Sequence, residues 1–162
     1  MKLYRAGREH HLEDFEGTKG NSFKKGARWN LPYNPVLYFA PSPSIAAMEL
    51  AQYFPTPDLV PDDYVMGEFE IPDSLKSKTL SIEDLPENWH IYPHPQCTKE
   101  IGTAWLQKVE ELCLFVPSAA TPGYRENIIV VNPRHGDINQ IKLINIIDKI
   151  YPERMFQGLK KV

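Results

Sequence analysis

The chain is short of most features that would place it in a specialised class. It has two cysteines in 162 residues, Cys97 and Cys113. That is too few for a disulfide framework, so a reducing cytoplasm is the expected setting. No apolar run approaches the ~20 residues that a membrane-spanning helix needs. The opening stretch, MKLYRAGREHH, lacks the apolar core of a secretory signal. Excess charge of one sign is lacking too: 18 Lys and Arg against 21 Asp and Glu leave a net charge of -3. A chain that coats nucleic acid carries a basic excess, so direct nucleic-acid binding is not expected. A small local cationic pocket stays compatible with this balance. Internal repeats, low-complexity linkers and phosphate loops of the Walker or Rossmann kind are missing as well.

What is present describes one folded domain spanning residues 1–162. Hydrophobic residues make up 42% and charged residues 24%, close to the globular average. A chain of this length hides about 70% of its unfolded surface. Proline is frequent, at 15 residues. Many prolines impose turns and short elements and argue against a long helical bundle.

Local patterns outline the elements. Leu3 to Ala6 reads as a first strand, and residues 7–27 as a polar loop with one short helical turn. Val36 to Ala40 is an apolar run between Pro35 and Pro41, the profile of a buried strand. Ser42 followed by Pro43 predicts an N-cap with proline at the first helical position. The helix over Ile45–Phe54 is apolar nearly all round and is expected to be well buried. Tyr64 to Ile71 alternates as a strand, with Val65, Phe69 and Ile71 on one face. Lys78 to Ile82 reads as a weaker strand and Thr98 to Glu111 as a helix. Leu112–Val116 and Ile128–Val131 are continuous apolar runs, as in central strands. Lys142–Ile147 reads as a last or edge strand. The expected class is α+β.

Several residues could carry chemistry. Glu49 is the only charge in its apolar helix. It points either to solvent at the helix edge or into a cleft, where burial makes a carboxylate functional. Arg5, beside Ala6-Gly7, and Arg28, in GARWN, are either surface residues or bidentate partners for phosphate oxygens. His90, His94 and Cys97, in WHIYPHPQC, mimic a metal half-site. No second ligand pair accompanies them, so a structural or solvated loop without metal is expected. Cys113, in LCLFV, reads as a small buried hydrophobe. Ser118, Asn127 and Asn132 stand at strand ends, where both turns and sites occur.

Taken in order, the pieces YRAG (4–7), GARWN (26–30), PVLYFA with the following AAMEL, and VPSA…ENIIVVNP…H form a pattern. It resembles the RES-domain family, the toxin half of RES–Xre toxin–antitoxin pairs. The resemblance runs from Leu3 to about Leu143; residues 58–100 carry no recognisable motif. It implies two small packed β-sheets with surrounding helices, similar to the diphtheria-toxin-like ADP-ribosyltransferase fold. It implies a toxin that depletes NAD by cleaving its nicotinamide–ribose bond, with ADP-ribose passed to water or phosphate. A protein ADP-ribosyltransferase using the same cleft, or a non-catalytic NAD-binding module, is the alternative. The name-giving Arg, Glu and Ser would be Arg28, Glu49 and Ser118. On this resemblance Arg28, Tyr38 and Glu49 are the catalytic candidates. Glu49 would stabilise an oxocarbenium-like ribose, and Tyr38 would stack on the nicotinamide. Arg5, Ser118 and Asn127 are the candidates for binding the dinucleotide. NAD would be substrate, with no cofactor and no metal implied. The implied partner is a cognate Xre-type helix-turn-helix antitoxin, in a complex where the toxin pairs as a homodimer.

Overall fold

A computed structural model describes residues 1–161, with side chains through Gly158. Seven strands form two sheets. They are β1 (Lys2–Arg8), β2 (Leu37–Phe39), β3 (Tyr64–Glu70), β4 (Ser77–Thr79), β5 (Cys113–Pro117), β6 (Asn127–Val131) and β7 (Lys142–Ile147). One sheet has the order β1-β3-β7 and the other β2-β6-β5-β4. All pairings are antiparallel except β4 with β5. The helices are α1 (Asn21–Lys25), α2 (Pro43–Ala51) and α3 (Gln96–Lys108). This is the expected α+β arrangement of two small sheets with surrounding helices.

The alternation of side chains builds the layers. Leu37 and Phe39 of β2, Cys113 of β5, and Ile129 and Val131 of β6 face one way. There they meet Leu3, Val65 and Phe69 of the other sheet. The intervening residues Leu114, Val116 and Val130 face the opposite side and pack with Trp29, Trp89, Trp105 and Leu106. Strands buried on both faces read as unbroken apolar runs, which is how β5 and β6 appear in the sequence. The outer face of the three-stranded sheet receives α2 through Ile45, Ala46, Ala47 and Leu50, with Met66, Ile150 and Tyr151. A two-way bridge, Tyr4 N to Ala40 O and Ala40 N to Tyr4 O at 2.8 Å each, joins the sheets just past β2.

Some local expectations need adjustment. The weak strand expected over Lys78–Ile82 is only Ser77–Thr79, and Ile82–Asp84 forms a 3-10 turn. No residue of β4 is buried, so no apolar face fixes a longer strand. Residues 7–27 hold both α1 and a 3-10 turn at Glu9–His11. The α2 helix is not buried all round: Ser44 and Met48 are exposed on its outer side. Its start is as expected, with the Ser42 hydroxyl accepting from Ile45 N at 3.3 Å. Helix α3 stops at Lys108, where Val109 turns into the left-handed region at φ 55°.

Two close approaches set up the site. Gly102 of α3 lies so near Trp29 that an added Cβ would stand 2.0 Å from the Trp29 carbonyl oxygen. Only glycine lets the helix seat on the GARWN segment. In β3, Gly67 pairs with Arg5, and a Cβ there would meet the Phe69 ring at 2.6 Å.

Candidate active site

A cleft of about 640 Å³ opens beside the bridge between the sheets. Arg5, Arg28, Tyr38, Glu49, Tyr53 and His94 are among the residues on its wall. Four of the six sequence candidates are therefore brought together. The other two, Ser118 and Asn127, do not line it.

Glu49 sits on the inner side of α2 with its carboxylate held at both oxygens. The Ser118 hydroxyl donates to Oε1 at 2.5 Å, and the Gln52 amide donates to Oε2 at 2.7 Å. Burial pushes the Glu49 carboxyl above its ordinary range, against the opposing pull of these two bonds and of Arg28. Of the two readings left open by the sequence, the cleft-facing one is correct. A charge would not stay in that place without such partners, because an isolated buried carboxylate protonates instead.

Ser118 lies behind the cleft wall. It is fully buried at the end of β5, with its amide bonded to Glu126 O at 2.8 Å. Its hydroxyl also accepts from Ala120 N at 3.1 Å. Its hydroxyl reaches Glu49 and fixes that carboxylate. Asn127 starts β6, pairs in register with Pro117, and stays off the cleft wall. Its chain neighbour Ile128 and its register partner Pro117 do line the cleft.

Arg28 stands at the tip of a tight turn closed by Ala27 N to Asn30 O at 3.0 Å. The neighbouring Trp29 is fully buried and anchors the turn. The Arg28 Nη1 donates to Trp89 O at 2.5 Å and to Ile91 O at 3.1 Å. Its guanidinium lies 5.9 Å from the Trp89 ring centre. One arm of the expected phosphate fork is thus used to hold the 89–91 backbone. Burial lowers the guanidinium's affinity for its proton, and Glu49 partly restores it; arginine stays charged regardless.

Tyr38 has its ring on the cleft wall and its hydroxyl tied to the Arg28 turn. The hydroxyl donates to Asn30 Oδ1 at 2.7 Å and accepts from Trp29 N at 3.3 Å. Burial keeps this phenol protonated, far above its ordinary range. Asn30 is itself fully buried, and its amide donates to Ser22 O at 2.8 Å. A core aromatic and a cleft aromatic are here the same residue.

At another part of the cleft Arg5 projects from β1 toward the layer between the sheets, with its guanidinium 5.8 Å from the Phe39 ring centre. Its Nη1 is buried with no hydrogen-bond partner among the described residues. Burial lowers its affinity for the proton, offset by the nearby Asp14. Asp14 pairs with Lys19 at 2.7 Å, and both line the cleft.

Sequence reasoning missed Gln52, Tyr53, Asp14, Lys19 and His94. Helical spacing offered a signal for two of them, since Gln52 and Tyr53 follow Glu49 by three and four residues. His94 gave none, because its loop meets Arg28 from more than sixty residues away. Among the described residues no group of three or more His, Cys, Asp or Glu side chains is placed to hold a metal ion. Within WHIYPHPQC, His90 packs on Tyr124 with ring centres 4.8 Å apart, whereas His94 lies on the cleft wall.

The RES domain model matches residues 2–152. A protein named Toxin Res from Photorhabdus laumondii is 31% identical over 151 residues, covering 93% of this chain and 92% of the relative. A Toxin Res from Yersinia enterocolitica is 33% identical over 136 residues, 83% of this chain and 86% of the relative. A Prs ADP-ribosylating toxin from a Sphingobium species is 26% identical over 152 residues, 93% of this chain and 91% of the relative. Among solved structures, a chain of the M. tuberculosis MbcT–MbcA toxin–antitoxin complex superposes with a TM-score of 0.68 at 18% identity. That match covers 99% of this chain and 89% of the other.

Proposed function

The chain belongs to the RES domain family, and on that premise we propose that it is the toxin of a toxin–antitoxin pair that cleaves the nicotinamide–ribose bond of NAD. The observation that carries this reading is the Glu49 carboxylate, buried on the cleft wall, held by Ser118 and Gln52, and within electrostatic reach of Arg28.

The chemistry suits such a carboxylate. When the C–N bond breaks, its electron pair passes to the nicotinamide ring nitrogen and the ribose becomes oxocarbenium-like. A carboxylate fixed beforehand stabilises that positive charge without reorganising. The two hydrogen bonds and Arg28 favour the ionised form that this role needs. Water or phosphate then bonds to the ribose carbon; when water attacks, its proton leaves to solvent. The Tyr38 ring supplies a face for the nicotinamide. Arg5, buried and short of a partner, meets the pyrophosphate through charge-assisted hydrogen bonds. The reaction requires no cofactor, since NAD is the substrate. A cognate Xre-type antitoxin is the partner, holding a pair of toxin chains inactive.

A second reading is favoured by one observation, the Sphingobium relative named an ADP-ribosylating toxin. In that case the ADP-ribose goes to a protein. Incubating the purified protein with NAD, with and without phosphate and with a cell lysate, separates the two by product mass. Free ADP-ribose, or its phosphate adduct, supports the first reading. Mass added to a protein supports the second. Intact NAD in all arms overturns both.

A further inference from the structure

Residues 58–100 contribute no family motif, yet two of them, Tyr64 and His94, line the cleft. The loop 89–94 is held there firmly. Arg28 binds two of its carbonyls, at Trp89 and Ile91. Trp89 stacks on Trp29 at 6.3 Å between ring centres and meets Tyr124 edge-on at 5.3 Å. The loop ends at His94, which Tyr92 touches edge-on at 5.4 Å.

His94 therefore stands in the cleft on a fixed support, close enough to Arg28 to feel its charge. Its Nδ1 is buried with no hydrogen-bond partner among the described residues. This leaves Nε2 as the nitrogen able to meet a ligand. A bare lone pair is better tolerated in a buried spot than a stranded N–H, which puts the proton on Nε2. Burial, with Arg28 and Lys99 nearby, holds the imidazole below its ordinary range, so it is neutral at neutral pH. The cleft thus has a fixed, uncharged donor near the Arg28 cation, and the Glu49 carboxylate lines the same cleft.

The groups of NAD divide among these three by chemistry. The pyrophosphate oxygens are anionic and suit the arginines. The ribose hydroxyls are donors and suit the Glu49 carboxylate, which only accepts. The remaining polar group at the scissile end is the carboxamide of the nicotinamide ring, whose oxygen is a neutral acceptor. We propose that His94 contacts substrate by donating from Nε2 to this carboxamide oxygen, so that the 89–94 loop recognises the leaving group. The inference rests on the NAD-cleaving reading above.

The test compares kcat/KM for NAD and for the NAD analogue whose pyridine ring lacks the carboxamide. Wild type, His94→Ala and His94→Gln are measured on both. His94→Ala is expected to lose about tenfold on NAD, the worth of one hydrogen bond to a substrate group, and under about twofold on the analogue. His94→Gln, whose amide N–H reaches nearly the same point, is expected to recover most of the loss. If His94→Ala melts early, His94→Phe, a ring without nitrogen, gives the same comparison. Equal loss on both substrates would mean a merely structural role and overturns the inference. So does an unchanged His94→Ala beside an active wild type, which leaves the NAD-cleaving reading standing. A wild type that leaves NAD intact overturns both.

Discussion

The two polar centres of the cleft are built on opposite plans. Around Glu49 each carboxylate oxygen already has a donor, and the serine that supplies one of them is itself held by the backbone. Around Arg5 a buried guanidinium nitrogen has no hydrogen-bond partner, and the nearest carboxylate, Asp14, is occupied by Lys19. A site that stabilises charge developing during reaction needs its dipoles placed in advance. A site that captures a charged ligand works by leaving a charge unsatisfied until the ligand arrives. Under the proposed function, turnover belongs to the first centre and anion binding to the second.

The sharpest way to break this division is Glu49→Gln. Turnover of NAD is expected to fall ~10²–10³-fold, with much less change in affinity for ADP-ribose. Stability should move the other way. Burial raises the Glu49 pKa above its unfolded value, so ionising it opposes folding. The stability it contributes is complete below the unfolded pKa and is lost as pH rises through the folded one. At neutral pH Glu49→Gln should therefore melt higher than wild type, as a calorimetric scan would read. Retained turnover removes Glu49 from the mechanism.

Arg5→Ala is the reciprocal change. Affinity for ADP-ribose should drop roughly ten- to a hundredfold, the worth of charge-assisted hydrogen bonds, and kcat should change less. Titration calorimetry decides it. A loss confined to kcat would merge the two centres into one.

Ser118→Ala tests whether the support of Glu49 matters beyond packing. A loss of about tenfold in kcat is expected, with KM little changed. The Ser118 hydroxyl holds the Glu49 pKa down. Without it, the acidic limb of the pH–rate profile should move to higher pH. A purely structural serine would lower activity with the limb in place.

The smallest effect concerns Asp14→Asn. This removes the negative charge facing Arg5 and frees Lys19. ADP-ribose should bind about two- to fivefold more tightly, an ion pair whose lysine is solvent-exposed being worth little. The gain should shrink as salt rises. Weaker binding would show that Asp14 orients the cations instead of competing with the ligand.

Much of the fold was legible before any coordinates. Val36–Ala40 and Ile128–Val131 are apolar without interruption, and both become strands covered on two faces. The Ser42–Pro43 start of α2 rests on local backbone chemistry and appears where expected. The misreadings lie where local pattern is weak. Nothing in Ser77–Thr79 is buried, so no periodicity marked its bounds. In α2 the apolar Met48 gave no sign of lying on the exposed side.

The site was legible in part, and along the same division. Arg5, Arg28 and Glu49 stand out by residue type and neighbours, Tyr38 only through the family resemblance, and all four reach the cleft. The roles of Ser118 and His94 did not follow from their surroundings in the chain. Ser118 meets Glu49 across 69 residues, and Arg28 meets Trp89 across 61. The sequence by itself determined the α+β make-up, with its buried strands and capped helix, and marked one carboxylate and two arginines as candidates, because alternation, caps and odd charges are recorded within one element. Only the tertiary structure decided which groups hold that carboxylate, which arginine nitrogen lacks a partner among the described residues, and that the 89–94 loop brings His94 to the cleft. Hydrogen bonds act over about 3 Å, and only packing brings groups so far apart in the chain within that range.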